Sequence, residues 1–541
     1  KKAIINWQIQ RKNVSLRKTG SNIKYPIGIQ TFEQIIEEGY SYVDKTTLVY
    51  QLAHYAKNQF LSRPRRFGKS LLVSTLQAYF EGRKELFKGL EIEKLEQQWE
   101  SYPVVHIDLS AGKYYQLDNL HVTLDYILSQ YERKYHIEVS ADACKVYNVR
   151  LANIISTARE QTGKRVVVLI DEYDAPMHDS VKDKKIQDEI REVIRDFLSP
   201  LKQQDSNLRF VFITGISKFS QVSIFSELNN LKILTMKDEF SAVCGFTEKE
   251  LLTEFNDGIY AFAQENGLSF DDAVTTLRKH YDGYHFSGKS VGVYNPYSII
   301  NALDDKSLNN YWFSSGTPTF LVELLQKKGY DMLQLDQIWA SESRFDVPTE
   351  NISDPVPVLY QSGYLTIKEY DKERRQYLLS FPNEEVRQGF SESLFRYYSP
   401  DGMGSYDALC GAYFQHVKKE GNMSAFLPHL KTFYDKFPYT LINNNERHYQ
   451  AVMYTIFAML GADVSPELPT SDGRIDLVLK TVDCIFIFEL KYGKDAVTAI
   501  NQIEEKKYFS AFADDKRKKF LVGINFSDDS RTIDDWTVIG G

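Results

Sequence analysis

Residues 60–80 read FLSRPRRFGKSLLVSTLQAYF. The second half has the form of a phosphate-binding loop entering a helix: Gly68, Lys69 and Ser70, then a run of good helix formers. In such a loop, backbone N–H groups and the helix N-terminus hold phosphate. The lysine reaches the outer phosphates, and the Ser hydroxyl ligates Mg²⁺. The first half departs from the pattern G-x-x-x-x-G-K-[ST]. Arg63 stands where glycine is usual, followed by Pro64, Arg65 and Arg66. The arginines either neutralise phosphate or fill the site and leave it inert.

A lone G-K-S occurs often by chance, so the assignment rests on a second element. RVVVLIDEYD, Arg165 to Asp174, is an apolar strand ending in Asp171 and Glu172. An acidic group at the carboxyl end of a buried strand can hold Mg²⁺, and the next glutamate can polarise an attacking water. Further apolar runs, PVVHIDLS (Pro103 to Ser110) and LRFVFITGIS (Leu208 to Ser217), alternate with helical stretches such as Lys185 to Leu201. With NQFLSR before the loop, they imply a parallel sheet covered on both faces, in a P-loop NTPase fold. Thr214, Ser217 and Lys218 end the third run, where a polar group can sense a γ-phosphate; ordinary strand-end polarity is the alternative.

Farther along, strands thin out and helices dominate, with a hairpin expected from VLYQSGYLTIKEYD and QYLLSFPN. The last hundred residues return to α/β. A helix is expected over Glu446 to Leu460, a strand pair over Arg474 to Leu490, a helix over Ala496 to Phe512, and a strand in KKFLVGINFS. Glu489 and Lys491, two apart on a strand, share a face. A tight turn at Thr481 to Asp483 brings Asp476 beside them. Two carboxylates and a lysine suit metal-assisted phosphodiester cleavage: Asp476 and Glu489 bind Mg²⁺, and Lys491 positions or helps deprotonate the attacking water and offsets phosphate charge. Glu446 adds a third carboxylate, and Gln502 contacts phosphate or water. His448 reads as a helix residue and not a ligand.

The 541 residues exceed one ordinary domain. Apolar residues at 43% and charged residues at 26% describe a soluble globular chain. No stretch has the length and apolarity of a membrane span, and no secretory signal pattern is present. The net charge of −8 excludes a general polycation, so nucleic acid must be met by local basic patches such as Lys506, Lys507 and the KRKK run at 516–519. The cysteines at 144, 244, 410 and 484 form no C-x-x-C pair, which fits a cytoplasmic location.

YPIGIQTFEQIIEEGYSYVDKT, FLSRPRRFGKS, VLIDEYDAP, ITGISKFS, YDGYHFS, VYNPYS and FPNEEVR, in this order, resemble the AAA-ATPase-like family found in many bacteria. NNERHYQAVMYTIFAMLGADV, TSDGRIDLVL, IFIFELKYG and AINQIEEKKYF resemble the PD-(D/E)XK nuclease superfamily that commonly follows it. The resemblance covers Tyr25 to the C-terminus and makes Arg63 a family trait. It matches Lys69 and Ser70 to the phosphate-loop positions and Asp171 and Glu172 to the acidic strand-end pair. With Arg66 and Gly68 read from the loop and Lys218 from the strand end, nucleotide binding is expected at Arg66, Gly68, Lys69, Ser70, Asp171 and Lys218, with Glu172 catalytic. In the nuclease part it implies a site of Glu446, Asp476, Glu489, Lys491 and Gln502. The expected architecture is an arm (1–24), a P-loop AAA-ATPase-like domain (25–240), a helical lid (241–345), a small winged connecting region (346–435), and a restriction-endonuclease-like α/β domain (436–541). The function expected is an ATP- and Mg²⁺-using ATPase coupled to a nuclease acting on DNA, with a homo-oligomer left open. The alternative is a nucleotide-gated DNA- or protein-binding module with one or both centres inert.

Overall fold

A computed structural model describes residues 24–140, 144–181, 183–218, 231–314, 321, 324–325, 332–347, 354–398, 403–436 and 445–540. The expected arm lies outside the described residues except for Lys24, as does part of the segment after Lys218.

The first apolar run, β1 (Asn58–Ser62), joins β2 (Val104–Asp108), β3 (Val166–Asp171), β4 (Leu208–Gly215) and the short β5 (Lys232–Ile233). They form an all-parallel sheet in the order β2–β3–β4–β1–β5. Successive strand residues face opposite sides. Val166, Val168 and Ile170 therefore pack with the helices Leu117–Lys134, Tyr147–Thr162 and Lys184–Leu198. Val167 and Leu169 pack against the helix Lys69–Phe80 through Leu72, Val73 and Leu76. Burial on both faces is why these strands read as continuous apolar runs. Because the strands are parallel and in register, Ser62, Asp108, Asp171 and Gly215 all end at one edge. Ligands of open α/β sheets bind beyond that carboxyl edge.

A three-stranded antiparallel sheet follows, with β6 (Ile338–Ala340), β7 (Thr366–Asp371) and β8 (Gln376–Ser380) in the order β6–β8–β7. The β7–β8 hairpin matches expectation. However, VLYQS forms the helix Val356–Ser362, ended by Gly363, where a strand was expected. β6 lies inside the stretch expected to be helical lid yet pairs with β8. After β8, the helix Glu384–Tyr398 leads toward the C-terminal part. From it, Arg387 donates to the Ala462 and Val464 carbonyls at 3.0 and 3.2 Å, and Gln388 to that of Met459 at 3.2 Å.

The C-terminal sheet runs β13–β12–β11–β10–β9, with β9 (Asp463–Pro469), β10 (Arg474–Lys480), β11 (Cys484–Tyr492), β12 (Lys518–Phe526) and β13 (Ile533–Gly540). The pair β11–β12 is parallel and all other pairs are antiparallel. Parallel neighbours need a crossover, and the helix Ala496–Glu505 supplies it. That helix starts so close to β12 that a Cβ on Gly523 would lie 2.5 Å from the Ala496 carbonyl oxygen. The expected helix to Phe512 stops early because Lys507 takes φ +48°, and Tyr508–Phe512 continues as a 3₁₀ turn. Helix Glu446–Met459 is buried from Tyr449 onward. One continuous apolar core runs from Leu61 and Leu72 through Trp312 and Phe390 to Phe457 and Phe488.

Candidate nucleotide and nuclease sites

The chain leaves β1 through Arg63 to Gly68. Gly68 caps the helix Lys69–Phe80 at φ +87° with open space around its Cβ position, so backbone geometry, not crowding, calls for glycine there. Arg66 also takes a positive φ, +67°. Lys69 is buried, with its ammonium 3.1 Å from Glu172 Oε1 and donating to the Pro64 carbonyl at 3.2 Å. Burial pushes Asp171 up to about 6; a hydrogen bond with Ser70 works against that shift, and nearby Glu172 adds to it. The Glu172 N–H donates to Asp171 Oδ1 at 3.0 Å, from a backbone at φ +50°. The structure thus brings Gly68, Lys69, Ser70, Asp171 and Glu172 to one sheet edge. Arg66 is at the mouth, its guanidinium 4.7 Å from the Tyr297 ring centre.

Arg63 does neither of the things the sequence allowed. Its guanidinium turns under the loop and donates to the carbonyls of Ser62, Thr235 and Phe240 at 2.9 to 3.0 Å, against the Phe286 ring. Burial drops its pKa to about 10.

Lys218, expected at a phosphate, has its ammonium ion-paired with Asp346, and its N–H donates to Gln361 Oε1 at 2.7 Å. Both partners lie beyond residue 340, so the end of β4 is tied to the connecting region. Thr214 is buried in the sheet. Ser217 donates through its N–H and Oγ to Asp174 Oδ2 at 2.7 and 2.8 Å. Asp174, missed in the sequence, is a fully buried carboxylate, also joined by His178 at 3.0 Å. Burial opposes its charge, but His178 and the Ser217 donors hold its pKa below the usual value.

At the C-terminal centre, the turn at Thr481 sets the register Leu477↔Phe488, and one step outward Asp476 comes opposite Glu489. Asp476 Oδ2 accepts the Leu490 N–H at 2.8 Å. Lys491 donates to Glu489 Oε1 at 2.8 Å and to the Leu490 carbonyl at 2.9 Å, and lies 3.9 Å from Glu446 Oε1. Glu489 Oε2 is buried with no hydrogen-bond partner. Burial, then repulsion from Glu489, pushes Asp476 up to about 8. Burial also raises Glu489, with Lys491 offsetting part of the shift. Burial works against the Lys491 charge, but Glu489 and the neighbouring carboxylates hold its pKa above the ordinary value.

Gln450, also missed in the sequence, fastens the helix to this centre by donating to the Asp476 carbonyl at 2.9 Å and to Glu467 at 2.8 Å. Burial pushes the half-buried His448 down to about 4, as suits a helix residue. Gln502 lies half-buried on the crossover helix, and among the described residues no hydrogen bond joins its side chain to the carboxylates. Among the described residues, no three His, Cys, Asp or Glu groups form a ready-made cation cage.

A buried carboxylate oxygen without a donor, beside a second carboxylate raised by burial and then by its neighbour's charge, fits a divalent cation at Asp476 and Glu489. Ser70 against Asp171, beside Lys69, likewise fits a nucleotide's Mg²⁺. No helix among the described residues is long and apolar enough to cross a membrane.

The family described as "Predicted AAA-ATPase" matches residues 26–225, and the PD-(D/E)XK nuclease superfamily matches 444–536. The chain is also similar to an "Uncharacterized protein in vnfD 5'region" of Azotobacter chroococcum mcd 1, 34% identical over 532 residues, covering 95% of this chain and 98% of the relative. The two matches fall on the parts that contain the carboxyl-edge loop and the carboxylate–lysine hairpin, and the chain belongs with that relative to the AAA-ATPase-like family, here with a PD-(D/E)XK nuclease superfamily domain at its C-terminal end.

Proposed function

We propose that the chain couples an ATP-binding and ATP-hydrolysing module to a Mg²⁺-dependent nuclease acting on DNA. One observation supports the nuclease half most strongly: Asp476, Glu489 and Lys491 meet on one face with Glu489 Oε2 unsatisfied. Asp476 and Glu489 would hold Mg²⁺, with Glu446 at the rim. When bound, the ion supplies phosphate polarisation and a more acidic water. Lys491 keeps its proton and presents positive charge to the scissile phosphate, while Gln450 and the Leu490 N–H fix Asp476. In the ATPase module, the N–H groups at Gly68 to Ser70 bind phosphate and Lys69 exchanges Glu172 for phosphate charge. Glu172, released, is placed to accept a proton from water.

A binding-only reading is favoured by one feature. The Lys69–Glu172 and Lys491–Glu489 pairs already match charges that ligands would otherwise match. Incubating the purified chain with Mg²⁺ and DNA separates the two. Cutting by the wild type, lost in folded Glu489→Ala and Lys491→Ala variants, supports the nuclease; equal cutting by all three proteins refutes it. ATP turnover lost in Lys69→Ala tests the other half.

A further inference from the structure

Two motifs have no role in the chemistry above: YPIGIQTF near residue 25 and VYNPYS near residue 294. The fold brings them to one place. Both line one cavity of about 310 Å³, together with the loop and helix residues Arg65 to Leu72 and with Glu172. Ile27, Ile29, Val43, Val243, Phe246 and Ile300 give the same cavity an apolar lining beside Lys69. Tyr297 lies at its lip, carrying Arg66 of the loop over its ring.

The first motif is pinned. The Ile27 N–H donates to the Tyr25 carbonyl at 2.9 Å, Ser41 donates to the Lys24 carbonyl at 2.9 Å, and the Tyr25 ring stacks on Phe255 at 5.9 Å. Ile27 nevertheless stays 41% exposed. A fixed segment that holds a large apolar side chain open beside a phosphate loop is shaped for a flat apolar group carried by a phosphate.

We propose that this cavity seats the nucleobase of a nucleoside triphosphate whose phosphates lie on Gly68 to Ser70, with Tyr297 and Ile27 touching the base. This rests on the nucleotide reading and adds its specificity-determining residues. Tyr297 has a second consequence. It belongs to the helix Pro296–Asp305, so a base held against it joins that helix to the loop bearing Arg66.

Calorimetric titration of the full chain with Mg²⁺–ATP and Mg²⁺–tripolyphosphate tests it. The wild type should bind ATP more tightly than tripolyphosphate. Tyr297→Ala should lose on the order of tenfold in ATP affinity, as for removal of one stacking partner, and keep its tripolyphosphate affinity. Ile27→Ser, in an exposed turn where folding is safe, should shift the same way. Equal wild-type affinity for the two ligands, or unchanged ATP affinity in both variants, overturns the base site alone. Failure of the wild type to bind either ligand removes the phosphate reading, and this one with it.

Discussion

Replacing Glu385 with glutamine tests how the loop is joined to the rest of the core. Glu385 opens the helix Glu384–Tyr398, and its Oε1 accepts the Trp312 N–H at 2.7 Å. The Trp312 indole N–H in turn donates to the Arg65 carbonyl, in the phosphate loop, at 3.1 Å. Burial pushes the Glu385 carboxyl from 4.5 up to about 8, with Ser298 and Trp312 offsetting part of the shift. Between those values the folded chain keeps a proton that the unfolded chain has lost. Stability therefore falls as pH rises from 4.5 to about 8 and levels off above. Each pH unit in that window costs about 1.36 kcal/mol, so on the order of 3 kcal/mol is lost by pH 7. Glutamine keeps the shape and the acceptor for Trp312 but does not ionise. By scanning calorimetry, Glu385→Gln should match wild type near pH 5 and melt several degrees higher near pH 8. A difference that stays constant across this range, or has the opposite sign, would refute the buried neutral carboxyl.

Three further outcomes follow from the same contacts. Arg63→Ala removes three hydrogen bonds to carbonyls and should destabilise by about 3 kcal/mol in urea melts; ATP affinity of the folded protein stays unchanged because the guanidinium is spent on the Ser62, Thr235 and Phe240 carbonyls. Asp346→Ala leaves Lys218 buried and unpaired and should cost about 3–5 kcal/mol, with Lys218→Met added to it recovering part of the loss; a double variant no better than the single one contradicts the pair. Gln450→Leu should weaken DNA cutting through Asp476 while leaving ATP affinity untouched, measured on one protein preparation.

The sequence exposed what is local and withheld what is not. Asp476 and Glu489 are joined by one tight turn, so hairpin register alone sets them face to face, and the site could be read from spacing. The four apolar strands of the first sheet were legible because burial on both faces leaves unbroken apolar runs. Their order was not, since it is set by helices packing across long separations. β9 and β13 escaped notice as edge strands: β9 contains Pro466 and Pro469, which edges tolerate and central strands do not. VLYQS is a short apolar run whose period does not distinguish strand from helix, and packing chose helix. The pairing of Lys218 with Asp346 was not legible because the two lie 128 residues apart. The structural role of Arg63 was not legible because nothing nearby in sequence shows the carbonyls of Thr235 and Phe240 that it holds.

The most direct measurement is a crystal structure of the full chain grown with Mn²⁺ and read by anomalous scattering. A peak bridging Asp476 and Glu489, with Glu489 Oε2 turned onto the ion and Lys491 still alongside, is the predicted result. An ion-free hairpin in a crystal that binds Mn²⁺ elsewhere would contradict the account.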